Sequence, residues 1–224
     1  MRRRWMSLSG LIRVALLLIL FLSLTPGWAS ERMVVADFSS GVDANGVPLG
    51  WQLKERSGRA DFAVIKDGHI HAVHLRSVDS SFALQKLVKV NTRNYPVLSW
   101  KWKVTKLPQG ADLRTPKADD QAAQLFLAFS DAKVIVYLWD TTAPQGSMED
   151  VPAPPFVTIK AIVLRSGDME TGKWITETRN AYEDYRKLFD REPPTVVAMR
   201  IQINSQHTET SAESYFADVV FKGH

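Results

Sequence analysis

Two short segments concentrate the side chains able to do chemistry in this chain. Asp119-Asp120-Gln121 sets adjacent carboxylates beside an amide, and Tyr137, Trp139 and Asp140 follow a short distance on. An indole next to carboxylates can hold a sugar, because the ring covers apolar C–H surface while the acids accept hydroxyl hydrogens. The competing reading packs Trp139 in the core and leaves the acids to solvate a loop. It stands slightly ahead, since isolated Trp and Asp are ordinary. A second set, Glu177, Arg179, Asn180 and Asp184, surrounds the start of a helix. Arg179 can reach an acid of the first set, and Arg165 can join. An ion-pair and capping network that ties the helix to a sheet explains this set better. Asp119 or Asp120 with Glu177 or Asp184 can also work as general acid and base on a glycosidic bond, given a separation of about 5–9.5 Å. Sequence does not fix that separation.

Metal chemistry has thinner support. His69-Ile-His71 puts two imidazoles on one strand face, a geometry zinc uses, yet an exposed hairpin strand explains it better. Asp37 and Asp218 fall in the first and last strands, where a sandwich of jelly-roll type can hold a structural Ca²⁺, but six to eight oxygens are wanted and two acids are few. No motif requires a cofactor. The chain has no cysteine, which excludes thiol catalysis and thiolate-bound zinc. No Gly-x-Ser-x-Gly and no phosphate-cradling glycine loop occurs.

Residues 1–29 read as a secretory leader. Arg2, Arg3, Arg4 and Arg13 precede an apolar run from Val14 to Leu22, Pro26 breaks it, and Gly27-Trp28-Ala29 offers small residues before a cut at Ser30. The run is about half the ~20 residues needed to span a bilayer, so a retained span is the weaker reading. The expected location is the periplasm or the exterior. The leader holds four Arg and no acid, so of 28 basic and 24 acidic residues in the chain, 24 of each remain beyond it. A near-neutral chain argues against a nucleic-acid partner. Residues 30–224 suit one domain with a real core.

The elements that must position these side chains are strands. Leu98, Trp100, Trp102 and Val104 alternate with Ser99, Lys101 and Lys103, and Val197, Met199, Ile201 and Ile203 alternate with Ala198, Arg200 and Gln202. Period two is the mark of a strand covering a core on one side. Further strands are expected over 33–38, 60–65, 69–76, 82–90, 121–129, 133–139, 156–165, 173–178 and 214–222, separated by turn signals such as Ser57-Gly58 and Asp67-Gly68. The pattern predicts an all-β antiparallel sandwich of jelly-roll type with one helix, 181–189, capped by Asn180. Two connections, 106–120 and 140–155, exceed what a hairpin needs, and loops of ~15 residues are often functional. If 121–129 and 133–139 form a hairpin through Ser130-Asp131-Ala132, both loops rise at the same end.

The motifs Pro48-Leu-Gly-Trp51, Leu98-Ser-Trp-Lys-Trp102, Leu107-Pro-Gln-Gly-Ala-Asp112, Asp119-Asp-Gln121 and Tyr137-Leu-Trp139 continue through Arg165-Ser-Gly167, Trp174, Glu177-Thr-Arg-Asn180, Asp184-Tyr185, Thr208-Glu-Thr-Ser-Ala-Glu213 and a last strand at Tyr215–Phe221. Together they resemble the bacterial family catalogued as domain of unknown function 3047. That resemblance implies an exported β-rich domain and carries over no catalytic residue. The expected activity is binding of a glycan or similar polar cell-envelope ligand, with Trp139, Asp119, Asp120, Gln121, Asp140, Tyr137, Arg179 and Glu177 as candidate lining. The alternatives are an envelope carbohydrate hydrolase using paired carboxylates and a non-catalytic interaction subunit. Oligomeric state is not encoded in any motif found.

Overall fold

The computed structural model describes residues 31–223, so the expected leader over 1–29 lies outside the described residues. Thirteen strands and one helix follow in order: β1 Arg32–Ala36, β2 Gln52–Ser57, β3 Asp61–Asp67, β4 Ile70–Val78, β5 Ser81–Val90, β6 Val97–Lys106, β7 Ala123–Phe129, β8 Lys133–Asp140, β9 Met148–Val151, β10 Thr158–Ser166, β11 Ile175–Asn180, α1 Ala181–Phe189, β12 Val196–Asn204 and β13 Ser211–Lys222. They form two sheets. One is six-stranded, ordered β11-β6-β13-β4-β3 with β1 also paired to β13, and the other is seven-stranded, ordered β2-β5-β12-β7-β8-β10-β9. This is the all-β sandwich with one short helix that the alternation predicts. No helix among the described residues is long and apolar enough to cross a membrane.

The core lies between the sheets, and period two decides who enters it. Leu98, Trp100, Trp102 and Val104 of β6 are fully buried, and they face Leu125 and Leu127 of β7 and Ile135, Tyr137 and Trp139 of β8. On β12 the alternation slips. Met199, Ile201 and Ile203 point inward, but a bulge between Val196 and Ala198 turns Val196 in and leaves Val197 exposed. One extra residue on one strand reverses the facing of everything before it.

Two features position the site. The β7–β8 hairpin turns through Ser130-Asp131-Ala132, so Asp119 to Gln121 and Asp140 stand at the same end of the sandwich, as expected. The ends of β10 and β12 and the junction of β2 with β5 reach that end too. The helix α1 closes the opposite end. Asn180 Oδ1 accepts from Glu183 N at 3.0 Å, and Tyr185 packs on Phe129 and donates to Asp131 at 2.6 Å. The second feature departs from a fully antiparallel sandwich. Strand β10 runs parallel to β8, and the 140–158 connection makes the crossover with β9 instead of a helix. It lies over the outer face of the seven-stranded sheet, where Leu113 and Ala143 seal Val136, Leu138, Ala161 and Val163 into a second apolar cluster.

Candidate functional site

The structure separates the expected site residues into three groups. Trp139 is fully buried between the sheets, 6.0 Å from Trp102, and its indole donates to Gly167 O at 2.9 Å. It is therefore a core residue and offers no platform to a ligand. Tyr137 is sealed beside it, and its hydroxyl donates to Asp184 Oδ2 at 2.8 Å. Burial pushes that phenol well above its ordinary pKa, with the Asp184 charge adding to the shift.

Arg179 belongs to the network that anchors the helix, and Glu177 to a second one that joins the sheets. Arg179 does not reach the acids of the first set; it grips Asp184 through two N–H groups. Glu177 receives Arg165 Nε at 2.7 Å and the Trp102 indole at 3.1 Å. Arg165 also pairs with Glu170 at 2.7 Å. Because Arg165 stands on β10 and Glu177 on β11, this ion pair staples one sheet to the other. Both networks are closed on themselves.

Asp119, Asp120, Gln121 and Asp140 do meet at one end, but two of the acids are spent on backbone. Asp140 is fully buried and accepts from Leu113 N at 3.0 Å, Thr142 N at 2.8 Å and Ala143 N at 2.7 Å. One carboxylate thus pins both long loops to each other. Asp120, also fully buried, accepts from Thr208 N and Oγ1 at 2.7 and 2.8 Å and from Asn204 Nδ2 at 3.1 Å, which ties the first loop to the β12–β13 turn. Asp119 remains, half-buried, with Gln121 Nε2 donating to it at 2.9 Å. Burial holds its carboxyl above the ordinary value, the charges of Asp120 and Asp140 add, and Gln121 and His207 pull the other way.

The two remaining acids do not make a cation site. Asp37 accepts from Ser39 N at 3.0 Å, and Asp218 pairs with Lys101 at 2.8 Å. Both border a hollow that also holds Arg32 and Lys222. Ca²⁺ needs a shell of oxygens, and ammonium and guanidinium groups supply none. Among the described residues, no group of three or more His, Asp or Glu stands close enough to hold a metal.

What the end of the sandwich does build is a groove on the outer face of the seven-stranded sheet. Its first hollow, about 300 Å³, is floored by Phe126, Val136, Leu138 and Ile159 and rimmed by Gln121, Gln124, Gln202 and Asn204, with Asp119 and His207 at its mouth. A second hollow of about 350 Å³ adjoins it, and Arg56, Phe126, Pro152 and Ile159 border both. Register explains the layout. Gln202 pairs with Gln124, and Arg200 pairs with Phe126, so outward positions on β12 and β7 stand side by side. Gln124 Nε2 bonds Asn204 Oδ1, whereas Gln202, 6% exposed, leaves its Oε1 without a hydrogen-bond partner. The Oε1 of Gln206, also on the lining, is unpaired as well. A buried carbonyl oxygen left unpaired costs about 1–3 kcal/mol, and both glutamines line the first hollow. Of the described residues lining the first hollow, Asp119 is the one carboxylate.

The side chains on this floor and rim were legible only in part. The polar alternation of Arg200 and Gln202 marks the solvent face of β12, but nothing in sequence pairs it with Gln124 and Phe126.

The chain belongs to the family described as protein of unknown function DUF3047, whose model matches residues 50–220. No curated protein matches it. Among solved structures, the xyloglucanase domain of NopAA from Sinorhizobium fredii, in complex with cellobiose, is similar at 10% identity and a TM-score of 0.50, covering 77% of this chain and 94% of that one. The family 11 carbohydrate-binding module of a Clostridium thermocellum cellulosomal cellulase is similar at 10% identity and a TM-score of 0.46, covering 88% and 96%. These likenesses concern the β-sandwich fold.

Proposed function

We propose that this member of the family is an exported binding module for a glycan or similar hydroxyl-rich ligand, and that the ligand lies in the outer-face groove of the seven-stranded sheet. The carrying observation is the buried, unpaired Gln202 Oε1 set among other amides over an apolar floor. Amides donate and accept, which suits hydroxyls, and Phe126 with Ile159 can cover the C–H face of a sugar ring. The site proposed is thus displaced from Trp139 by the thickness of the sheet. Binding is favoured over hydrolysis because the two-carboxylate mechanism needs a second acid near Asp119, and Asp120 is engaged by Thr208 and Asn204. The leader over residues 1–29 would deliver the module to the periplasm or beyond, where envelope glycans are present.

A glycan array probed with the wild type and with a Gln124→Ala, Gln202→Ala double variant tests this. The wild type should retain at least one glycan, and the variant should bind it at least tenfold more weakly while melting within a few degrees of the wild type. Retention of no glycan, or equal retention by both proteins, contradicts the proposal.

A further inference from the structure

The two hollows of the groove differ in charge: Arg56 borders both, Asp119 lines the first, and Arg200 lines the second, where among the described residues no Asp or Glu accompanies it. Arg200 stands half-buried on the outer face of β12. Its Nη2 donates to Gln85 Oε1 at 2.9 Å, and its guanidinium lies 5.6 Å from the centre of the Phe126 ring. Among the described residues no carboxylate pairs with it. The other partly buried arginines among the described residues are matched: Arg165 by Glu170 and Glu177, and Arg179 by Asp184. Burial pushes Arg200 below its ordinary pKa, and the neighbouring Arg56 charge pushes it further. A guanidinium does not lose its proton in a protein, so Arg200 stays charged and under-solvated.

Arg56 is brought there by a local irregularity. Strand β2 pairs with β5 in register through Glu55, then slips by one residue, so that Ser57 opposes Ser81 and Arg56 sits in the bulge. Bulges re-aim the side chain they carry. Gly58 permits the turn that follows: its φ is +62°, and a Cβ there would stand 2.8 Å from Ser80 Cβ. Arg56 borders both hollows, has no ion pair of its own among the described residues, and the lining of the second hollow contains no Asp or Glu. Asp119, beside His207, lines the first hollow and not the second.

We infer that the groove takes an acidic glycan, with one sugar carboxylate seated between Arg56 and Arg200 and the neighbouring hydroxyls on Gln124 and Gln202. This rests on the reading of the groove as a glycan site and adds the chemical class of the glycan. The planar guanidinium fork matches an oxyanion in two parallel bonds, and Arg200 is already oriented by Gln85 and Phe126. An uncharged glycan would leave both cations unanswered. The second hollow, floored by Phe126, Val134 and Ile159 between the arginines and Pro152, gives the acidic ring an apolar seat beside its charge.

Calorimetric titrations with oligogalacturonate, a sulfated galactan oligomer and cello-oligosaccharide, using wild type, Arg56→Gln and Arg200→Gln, test the inference. Oligogalacturonate should bind the wild type, lose at least tenfold in affinity in each variant, and weaken several-fold when NaCl rises from 0.05 to 0.5 M. Arg56 is exposed, so Arg56→Gln reports on binding even if Arg200→Gln disturbs the fold. Oligogalacturonate binding that ignores both substitutions overturns the inference. Arginine-dependent binding of the sulfated oligomer alone overturns the carboxylate as the source of the anion. Binding of cello-oligosaccharide alone, lost in the Gln124, Gln202 variant, overturns the acidic class and leaves the groove as a glycan site. No binding by any of the three overturns both.

Discussion

The inter-sheet aromatic layer and the outer-face groove use the same kinds of residue and finish them differently. In the layer, the Trp102 indole is answered by Glu177, the Trp139 indole by Gly167 O, and the Tyr137 hydroxyl by Asp184. The two acids are answered in turn by Arg165 and Arg179. Trp100 Nε1 is the exception, with no partner. In the groove, Gln202 keeps an unpaired oxygen and Arg200 keeps an unmatched charge although both are largely covered by protein. A closed network stabilises the fold, while open valences under partial burial cost stability and are repaid by a ligand. Residue type alone does not separate the two; whether a partly buried arginine meets a carboxylate does.

The comparison can be broken from the core side first. Trp139→Ala should have the largest effect, a loss of about 3–5 kcal/mol from the cavity it leaves. Urea denaturation measures this, and a loss below about 1 kcal/mol would show that the indole does not carry the packing ascribed to it. Asp184→Asn comes next, at about 2–3 kcal/mol. That is less than the ~3–5 expected for a fully buried pair, because Arg179 keeps a third of its side chain in solvent. The same denaturation series checks it, and an unchanged midpoint would remove the Tyr137–Asp184–Arg179 set from the account of stability.

The groove side predicts smaller effects of opposite sign. Gln202→Leu removes an unpaired buried oxygen and should leave stability unchanged or raise it by about 1 kcal/mol, while binding falls at least tenfold. A destabilised variant would mean that the oxygen has a partner within the fold. Asp119→Asn should give the smallest change. A carboxyl whose pKa is raised by folding costs stability wherever it is ionised, so the folded protein loses stability as pH rises from the ordinary Asp value through the raised one. The substitution should raise the melting temperature by about 1–2 °C at pH 7, and the gain should vanish below pH 3.8, the ordinary value. A gain that persists there would assign it to something other than charge.

How much of this was legible in sequence depends on how many faces of a strand are buried. Strand β6 has its tryptophans on one face and Ser99, Lys101 and Lys103 on the other, so its alternation is plain and its inward set is the one observed. Strand β8 reads Lys-Val-Ile-Val-Tyr-Leu-Trp-Asp, with Val136 and Leu138 sealed under Leu113 and Ala143 on the outer side. A strand covered on both faces reads as an unbroken apolar run, and such a run does not say which side holds Trp139. That is why the shared end of the two long loops is legible, while the sequence puts the core reading of the indole only slightly ahead of the cleft. Strands β2 and β9 were not foreseen at all. Both lie at the edges of the seven-stranded sheet; β2 is exposed except for Leu53, and β9 has four residues. Arg56 entered the site through the bulge in β2, a slip of register that leaves no sequence mark. The helix, by contrast, announced its cap: Asn180 and Glu183 stand where the capping bond requires.

The central claim is that ligand meets the outer face of the seven-stranded sheet and not the aromatic layer beneath it. An NMR titration of isotope-labelled protein with the glycan retained on the array follows both at once, through the side-chain amides of Gln124 and Gln202 and the indole N–H of Trp139. Saturable shifts of the two amides with a stationary indole signal are predicted; a moving indole with stationary amides would contradict the account.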